Sequence, residues 1–239
     1  TGAPCEPGTA RPVGDGCIHE AFMIEGTSNW FVKVNDAAHV AMFESESDGL
    51  NAIAATQAMR VPNPIATGVA GSWSFLVLEI LNFHSGMQPS WAQMGRALAK
   101  LHRCSSSDAR FGWHRDNFIG ATPQPNGWSR DWVTFWREQR LGFQFKLAAE
   151  KGARFHGADR LQAGIEKLLA EHAPQPSMLH GDLWSGNVGF LEKGAPVIFD
   201  PDRLRRAPPK RQEPVLDPIR HSTRREVHAG LHNGHAGRN

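Results

Sequence analysis

The sequence predicts an α+β protein of two lobes, strand-rich over residues 1–81 and mainly helical over 82–202, followed by a basic tail over 203–239. Three observations lead there. The runs Trp30-Phe31-Val32-Lys33-Val34 and Phe75-Leu76-Val77-Leu78-Glu79-Ile80 have the content of buried strands, with one helical pattern between them. After Pro89 helical patterns dominate. From Arg203 onward apolar periodicity disappears.

Residues 13–34 read as two strands joined by a turn, with Gly14-Asp15-Gly16 at an early bend. Residues 40–58 read as a helix whose inward face carries Phe43, Leu50, Ile53 and Ala54. Val61-Pro62-Asn63-Pro64 ends that pattern, because proline removes donors and restricts the residue before it. Beyond the second strand run, helices are expected over 90–103, with Met94, Leu98 and Leu101 on one stripe, and over 131–150 and 159–171. A short strand pair, Met178-Leu179-His180 and Val197-Ile198-Phe199, follows. The lobe boundary falls near residues 81–89.

The bulk composition, 40% apolar and 21% charged over 239 residues, suits a globular protein, and no apolar run of about 18 residues marks a membrane span. Cys5, Cys17 and Cys104 are odd in number and lack CxxC spacing, which disfavours a disulfide framework or a structural zinc site and points to a reducing, cytoplasmic setting. The chain opens Thr-Gly-Ala-Pro, so the expectation is that leading residues were removed or that it is a piece of a longer frame. The net charge of +2 hides an asymmetry: residues 203–239 hold nine Lys/Arg against three Asp/Glu, and the body is mildly acidic. Too little apolar surface is available there to offset ordering entropy, so disorder is expected after residue 203.

Chemistry concentrates in His180-Gly181-Asp182-Leu183-Trp184-Ser185-Gly186-Asn187, followed by Ile198-Phe199-Asp200-Pro201. The pattern resembles the HxDxxxxN catalytic loop of kinases, with a second Asp 13 residues after the Asn at a strand end. Phosphoryl transfer needs an acceptor for a hydroxyl proton, a role suited to Asp182, and oxygen ligands for Mg²⁺, suited to Asn187 and Asp200. Lys33, on a strand, can reach the α- and β-phosphates of ATP and needs a carboxylate from the next helix. Glu46 shares the face of Phe43, Leu50 and Ile53, whereas Glu44 points roughly 200° round the helix, so Glu46 is favoured. Gly14 and Gly16 would let backbone donors approach the phosphates. Glu79 to Leu81 would form the hinge facing the adenine edge.

The phrase His-Gly-Asp-Leu-Trp-Ser-Gly-Asn-Val is similar to the signature of the fructosamine (ketosamine) kinases, within the protein-kinase-like, aminoglycoside phosphotransferase-like superfamily. The likeness extends through Gly-Asp-Gly-Cys-Ile, Phe-Val-Lys-Val-Asn at 31–35, Phe111-Gly112-Trp113, Asp116-Asn117-Phe118-Ile119-Gly120, Thr122-Pro123-Gln124 and Asp131-Trp132, about four-fifths of the chain. What the resemblance implies is a protein-kinase-like two-lobed fold and ATP-dependent, Mg²⁺-assisted phosphorylation of a sugar-amine adduct on its C3 hydroxyl, a deglycation step. Trp184 would pack on the sugar, and Cys17 would be a redox-responsive thiol in the phosphate turn. His102 reads as structural.

Two departures stand out. Gly-Asp-Gly replaces the family's usual three glycines and puts Asp15 near the phosphates. After Pro201 the family's Tyr-rich segment is replaced by Asp202-Arg203-Leu204-Arg205-Arg206 in a chain without tyrosine. The expectation is an aberrant, frameshift-like tail, an incomplete C-terminal lobe and an exposed apolar patch. Rival readings are a kinase of another small hydroxylated substrate, such as an aminoglycoside or choline, and an inactive ATP-binding product. A nucleic-acid binder is disfavoured, because no aromatic residues interleave the basic tail. His221, His228, His232 and His235 are too irregularly spaced for a metal site.

Overall fold

In the computed structural model the described residues are 10–13, 19–26, 28–83, 90–104, 108–201 and, for the backbone, 204–206. Gly14, Asp15, Gly16, Cys17 and the tail histidines lie outside them. Residues Thr1–Pro208 form one compact unit; Pro209–Asn239, the second, lies wholly outside the described residues.

The first part is an antiparallel sheet with strands β1 (Ala10–Pro12), β2 (Glu20–Ile24), β3 (Trp30–Asp36), β4 (Pro64–Ala70) and β5 (Trp73–Glu79), in the order β1-β2-β3-β5-β4. Three strands therefore stand where the sequence suggested two before residue 36. β4 also forms directly after the proline cluster, an edge position where the missing donor of Pro64 is tolerated. Helix α1 (Val40–Ala55) packs on this sheet and buries Met42, Phe43, Leu50 and Ile53. Lys33 stands opposite Leu76 in the β3–β5 register, and cross-strand partners share a face, so Lys33 lies on the side of the buried Leu76 and Leu78.

Helix α2 (Trp91–His102) follows, then a hairpin of β6 (Asn117–Ile119) and β7 (Thr122–Gln124) that the sequence did not signal. One long helical run begins at α3 (Trp132–Trp136), whose N-cap Asp131 accepts from the Thr134 N–H at 2.7 Å. It passes through a π-helical turn over Arg137–Gly142 into α4 (Phe143–Glu150), and α5 (Ala158–Leu169) follows. Strands β8 (Ser177–Leu179), β9 (Val188–Phe190), β10 (Pro196–Ile198) and β11 (Leu204–Arg206) complete the order.

The expected pairing of residues 178–180 with 197–199 is not what forms. β10 pairs with β9, and β8 pairs with β11, with Leu204 opposite Leu179. The first residues of the basic tail are thus drawn into a backbone ladder, which corrects the expectation of disorder at 204–206; the inter-strand hydrogen bonds do not depend on apolar periodicity.

One cluster of buried side chains joins both parts: Phe43, Leu50 and Ile53 from α1, Leu76 and Leu78 from β5, Met94 and Leu101 from α2, then Met178 and Ile198. Helix α5 buries Ile165 yet leaves Leu161 and Leu168 exposed, and these two sit seven residues apart on one helix face. Replacing Leu161 and Leu168 together by Lys is expected to lower self-association, read by light scattering, while shifting the unfolding midpoint little. In contrast, Leu50→Ala should cost about 3 kcal/mol in a denaturant titration, because it opens a cavity in the shared cluster.

Candidate active site

Lys33 is the centre of the site. Its position on the inward face of β3 buries it to 8% exposure, and a buried ammonium needs carboxylates. Its Nζ donates to Glu46 Oε1 at 2.8 Å and also to Asp200 Oδ1. Strand β3, helix α1 and the end of β10 thus converge on one cation. Glu44, the alternative carboxylate, is turned away and accepts from Arg115 Nη2 at 2.8 Å.

The charges are unequal. Burial pushes Asp200 up, but the Lys33 ammonium and its hydrogen bond outweigh that and hold the carboxyl below its usual range. Burial and the adjacent Asp200 charge push Glu46 up to about 7, against the pull of Lys33. Burial works against the Lys33 ammonium, yet the two carboxylates raise its pKa well above that of an ordinary lysine. Asp200 also adopts φ +54°, a left-handed conformation that is strained for a residue with a Cβ and recurs at functional sites.

The catalytic-type loop runs from β8 to β9. His180 is buried, and its Nε2–H donates to the Phe199 carbonyl at 2.9 Å, which ties the start of the loop to the residue before Asp200. Asn187 donates from Nδ2 to the Asp182 carbonyl at 2.9 Å and to Asp182 Oδ2 at 3.2 Å. With the amide nitrogen turned to Asp182, its Oδ1 is left to act as a metal ligand. Among the described residues no group of three or more His, Cys, Asp or Glu could hold a metal ion on its own. Asn187 and Asp200 are the residues that could offer oxygen donors to Mg²⁺, a cation that commonly takes its other ligands from phosphate and water.

Trp184 is 55% exposed and not a core residue; its indole crosses Gly186 so closely that a Cβ there would lie 2.3 Å from Trp184 Cζ2. At the other end, the Glu79 N–H donates to the Asn63 carbonyl at 3.0 Å and the Glu79 carboxylate is held by Arg60, while Leu81 beyond it is half-buried. His102 is half-buried near the end of α2 and is pushed down by burial alone.

Two features escaped the sequence reading. His19, at the entry to β2, accepts at Nδ1 from Asn35 Nδ2 at 2.9 Å and sits 4.8 Å from the Phe43 ring. Burial first, then the Lys33 charge, pushes it down to about 4, so it is neutral beside the cation. The second is the bracing role of segment 111–126, whose residues entered the sequence reading only through the family likeness. Trp113 Nε1 donates to Asp48 Oδ2 at 2.8 Å on the outer side of α1, and Asn126 bridges Asn117 at 2.7 Å and Arg140 Nη2 at 2.6 Å. The Arg140 guanidinium also lies 4.5 Å above the Phe135 ring. The π-helical turn places Arg140 there, and the segment braces the helix that carries Glu46.

The sign of the pH response follows. Burial pushes His180 down to about 4, so between roughly pH 4 and 6.5 the unfolded chain binds more protons at this residue and stability rises with pH. His19 has the same sign, and Glu46, with its raised value, works in the opposite direction up to about pH 7. The urea midpoint is expected to climb from pH 4.5 to 6.5, and His180→Asn should flatten that slope by on the order of 2–3 kcal/mol across the window.

Comparison with known proteins gives the same picture. The family description "Fructosamine kinase" matches residues 1–204. A protein of Synechocystis sp. named "Probable ketoamine kinase" is 45% identical over 202 residues, covering 84% of this chain and 68% of that one. A crystal structure from Haemophilus somnus that carries the name fructosamine-3-kinase superposes with a TM-score of 0.79 at 30% identity, over 86% of this chain and 69% of that one. An aminoglycoside phosphotransferase from Streptomyces rimosus shares the fold, with a TM-score of 0.55 at 18% identity over 96% of this chain and 87% of that one. With an α+β, kinase-like phosphotransferase fold and a sequence that matches the family over most of its length, the chain belongs to the fructosamine kinase family.

Proposed function

We propose that the chain is an ATP-dependent phosphotransferase that places a phosphoryl group on the C3 hydroxyl of a ketosamine, the sugar-amine adduct class named for its relatives. The observation that carries this reading is the meeting of Lys33, Glu46 and Asp200, with Asp182 and Asn187 on the adjoining loop. Residues 1–81 would serve as the nucleotide lobe and 82–202 as the catalytic lobe.

Bound ATP with Mg²⁺ supplies the transferable phosphoryl group and the neutralising charge. Lys33 is the group to hold the α- and β-phosphates, and Glu46 keeps its ammonium aimed. Asn187 and Asp200 would hold the metal. Asp182 accepts the proton of the attacking hydroxyl, and its position is set by the Asn187 amide. Trp184, exposed beside Asp182 in the loop, offers a flat face to the C–H side of the sugar. Gly14, Gly16, Glu79 and Leu81 complete the nucleotide contacts in this reading. A reducing, cytoplasmic location belongs to this reading; the described Cys104 is a free thiol, and among the described residues no helix is long and apolar enough to cross a membrane.

The test is ADP release with a fructosyl-amine substrate, comparing the chain with Asp182→Asn. The substitution is expected to lower turnover by about 10²–10⁴-fold while nucleotide binding by thermal shift persists. Undiminished turnover in the variant would remove Asp182 from the mechanism.

A further inference from the structure

We propose that Phe83 supplies the stacking surface for the nucleobase of the bound nucleotide, lying over Gly189 in place of the side chain that residue lacks. The inference rests on the nucleotide-binding reading above and adds a residue to it. In the β9–β10 pair, Gly189 stands opposite Val197 and Val188 opposite Ile198. Cross-strand partners share a face and successive residues alternate. Val188 and Ile198 both pack in the main core, so Gly189, Val197 and Phe199 present the other face.

Phe83 covers that second face. A Cβ on Gly189 would lie 2.2 Å from Phe83 Cε1 and 2.6 Å from Cδ1, so the ring occupies the place of a side chain at 189. Its centroid is 5.7 Å from the Phe199 ring. Phe83 nevertheless remains 52% exposed, so part of the ring is open to a ligand.

The surroundings name the ligand. Gly189 follows Asn187 by two residues, Phe199 immediately precedes Asp200, and Phe83 follows Leu81 by two residues beyond the exit of β5. Along the chain, the two segments that form the aromatic surface thus adjoin the residues that would hold metal and phosphate and the stretch that would face the edge of the base. A purine whose edge is paired and whose phosphates are held still has an apolar face to cover, and an aromatic ring covers it well. Any residue larger than glycine at 189 would displace the ring.

Dissociation constants for Mg²⁺·ATP and for Mg²⁺·tripolyphosphate, read by thermal shift on the full chain, separate base from phosphate. Phe83→Ala is expected to weaken ATP roughly ten-fold or more and to leave tripolyphosphate unchanged, with Phe83→Trp retaining ATP affinity. Gly189→Ala should weaken ATP in the unsubstituted chain and add nothing on top of Phe83→Ala. Unchanged ATP affinity in Phe83→Ala overturns the proposal, and so does an equal loss of both ligands, which marks a structural role. An unsubstituted chain that binds neither ligand overturns the kinase reading itself, a result distinct from the other two.

Discussion

The site is organised by the desolvation of one ammonium. Lys33 is buried on β3, and a buried charge left without partners would cost several kcal/mol. Its carboxylate partners come from a helix following β3 and from a strand end 167 residues further along the chain. Moving any of the three elements by a few ångströms would strand a charge, so their mutual placement is tightly specified. The ion pairs themselves are weak evidence for net stability, since desolvation offsets most of their attraction. Their importance is geometric: they hold together the groups suited to phosphate and metal.

Those groups stay aligned because apolar packing and polar bracing act on opposite sides of α1. Phe43, Leu50 and Ile53 anchor its inner face in a cluster shared with Met178, on the strand leading into the Asp182 loop, and Ile198, on the strand leading to Asp200. Its outer side is held by Trp113 on Asp48 and Arg115 on Glu44. The segment supplying those two contacts is stiffened by Asn126 and Arg140, and the π-helical turn gives Arg140 its position. Behind the catalytic-type loop, His180 acts as a neutral peg between β8 and Phe199, so the strained Asp200 is reached from a fixed backbone. Strain of this kind costs about 1–3 kcal/mol and persists only where the surroundings enforce it.

Much of this was legible in the sequence, for identifiable reasons. The helix and strand periods located α1, β3, β5 and α2 to within a few residues, because each buries one face against the core. The loop from His180 to Asn187 and the spacing to Asp200 exposed the candidate chemistry, because those residue types sit close together in the chain. Helical geometry also separated Glu46 from Glu44, since residues three and four apart share a face.

Other features depend on contacts between distant segments and leave no local pattern. The partners of β8 and β10, the pairing of 204–206, and the β6–β7 hairpin were decided by backbone ladders formed across the chain. His19 beside Lys33 and Phe83 over Gly189 have the same character: each is an ordinary residue in the sequence until folding places it. The sequence by itself pointed to a strand lysine, a candidate proton acceptor and two candidate metal-binding oxygens within a kinase-like fold. Only the tertiary structure decided how Lys33 divides its bonds between Glu46 and Asp200, because that division depends on burial and on the approach of strands far apart in sequence.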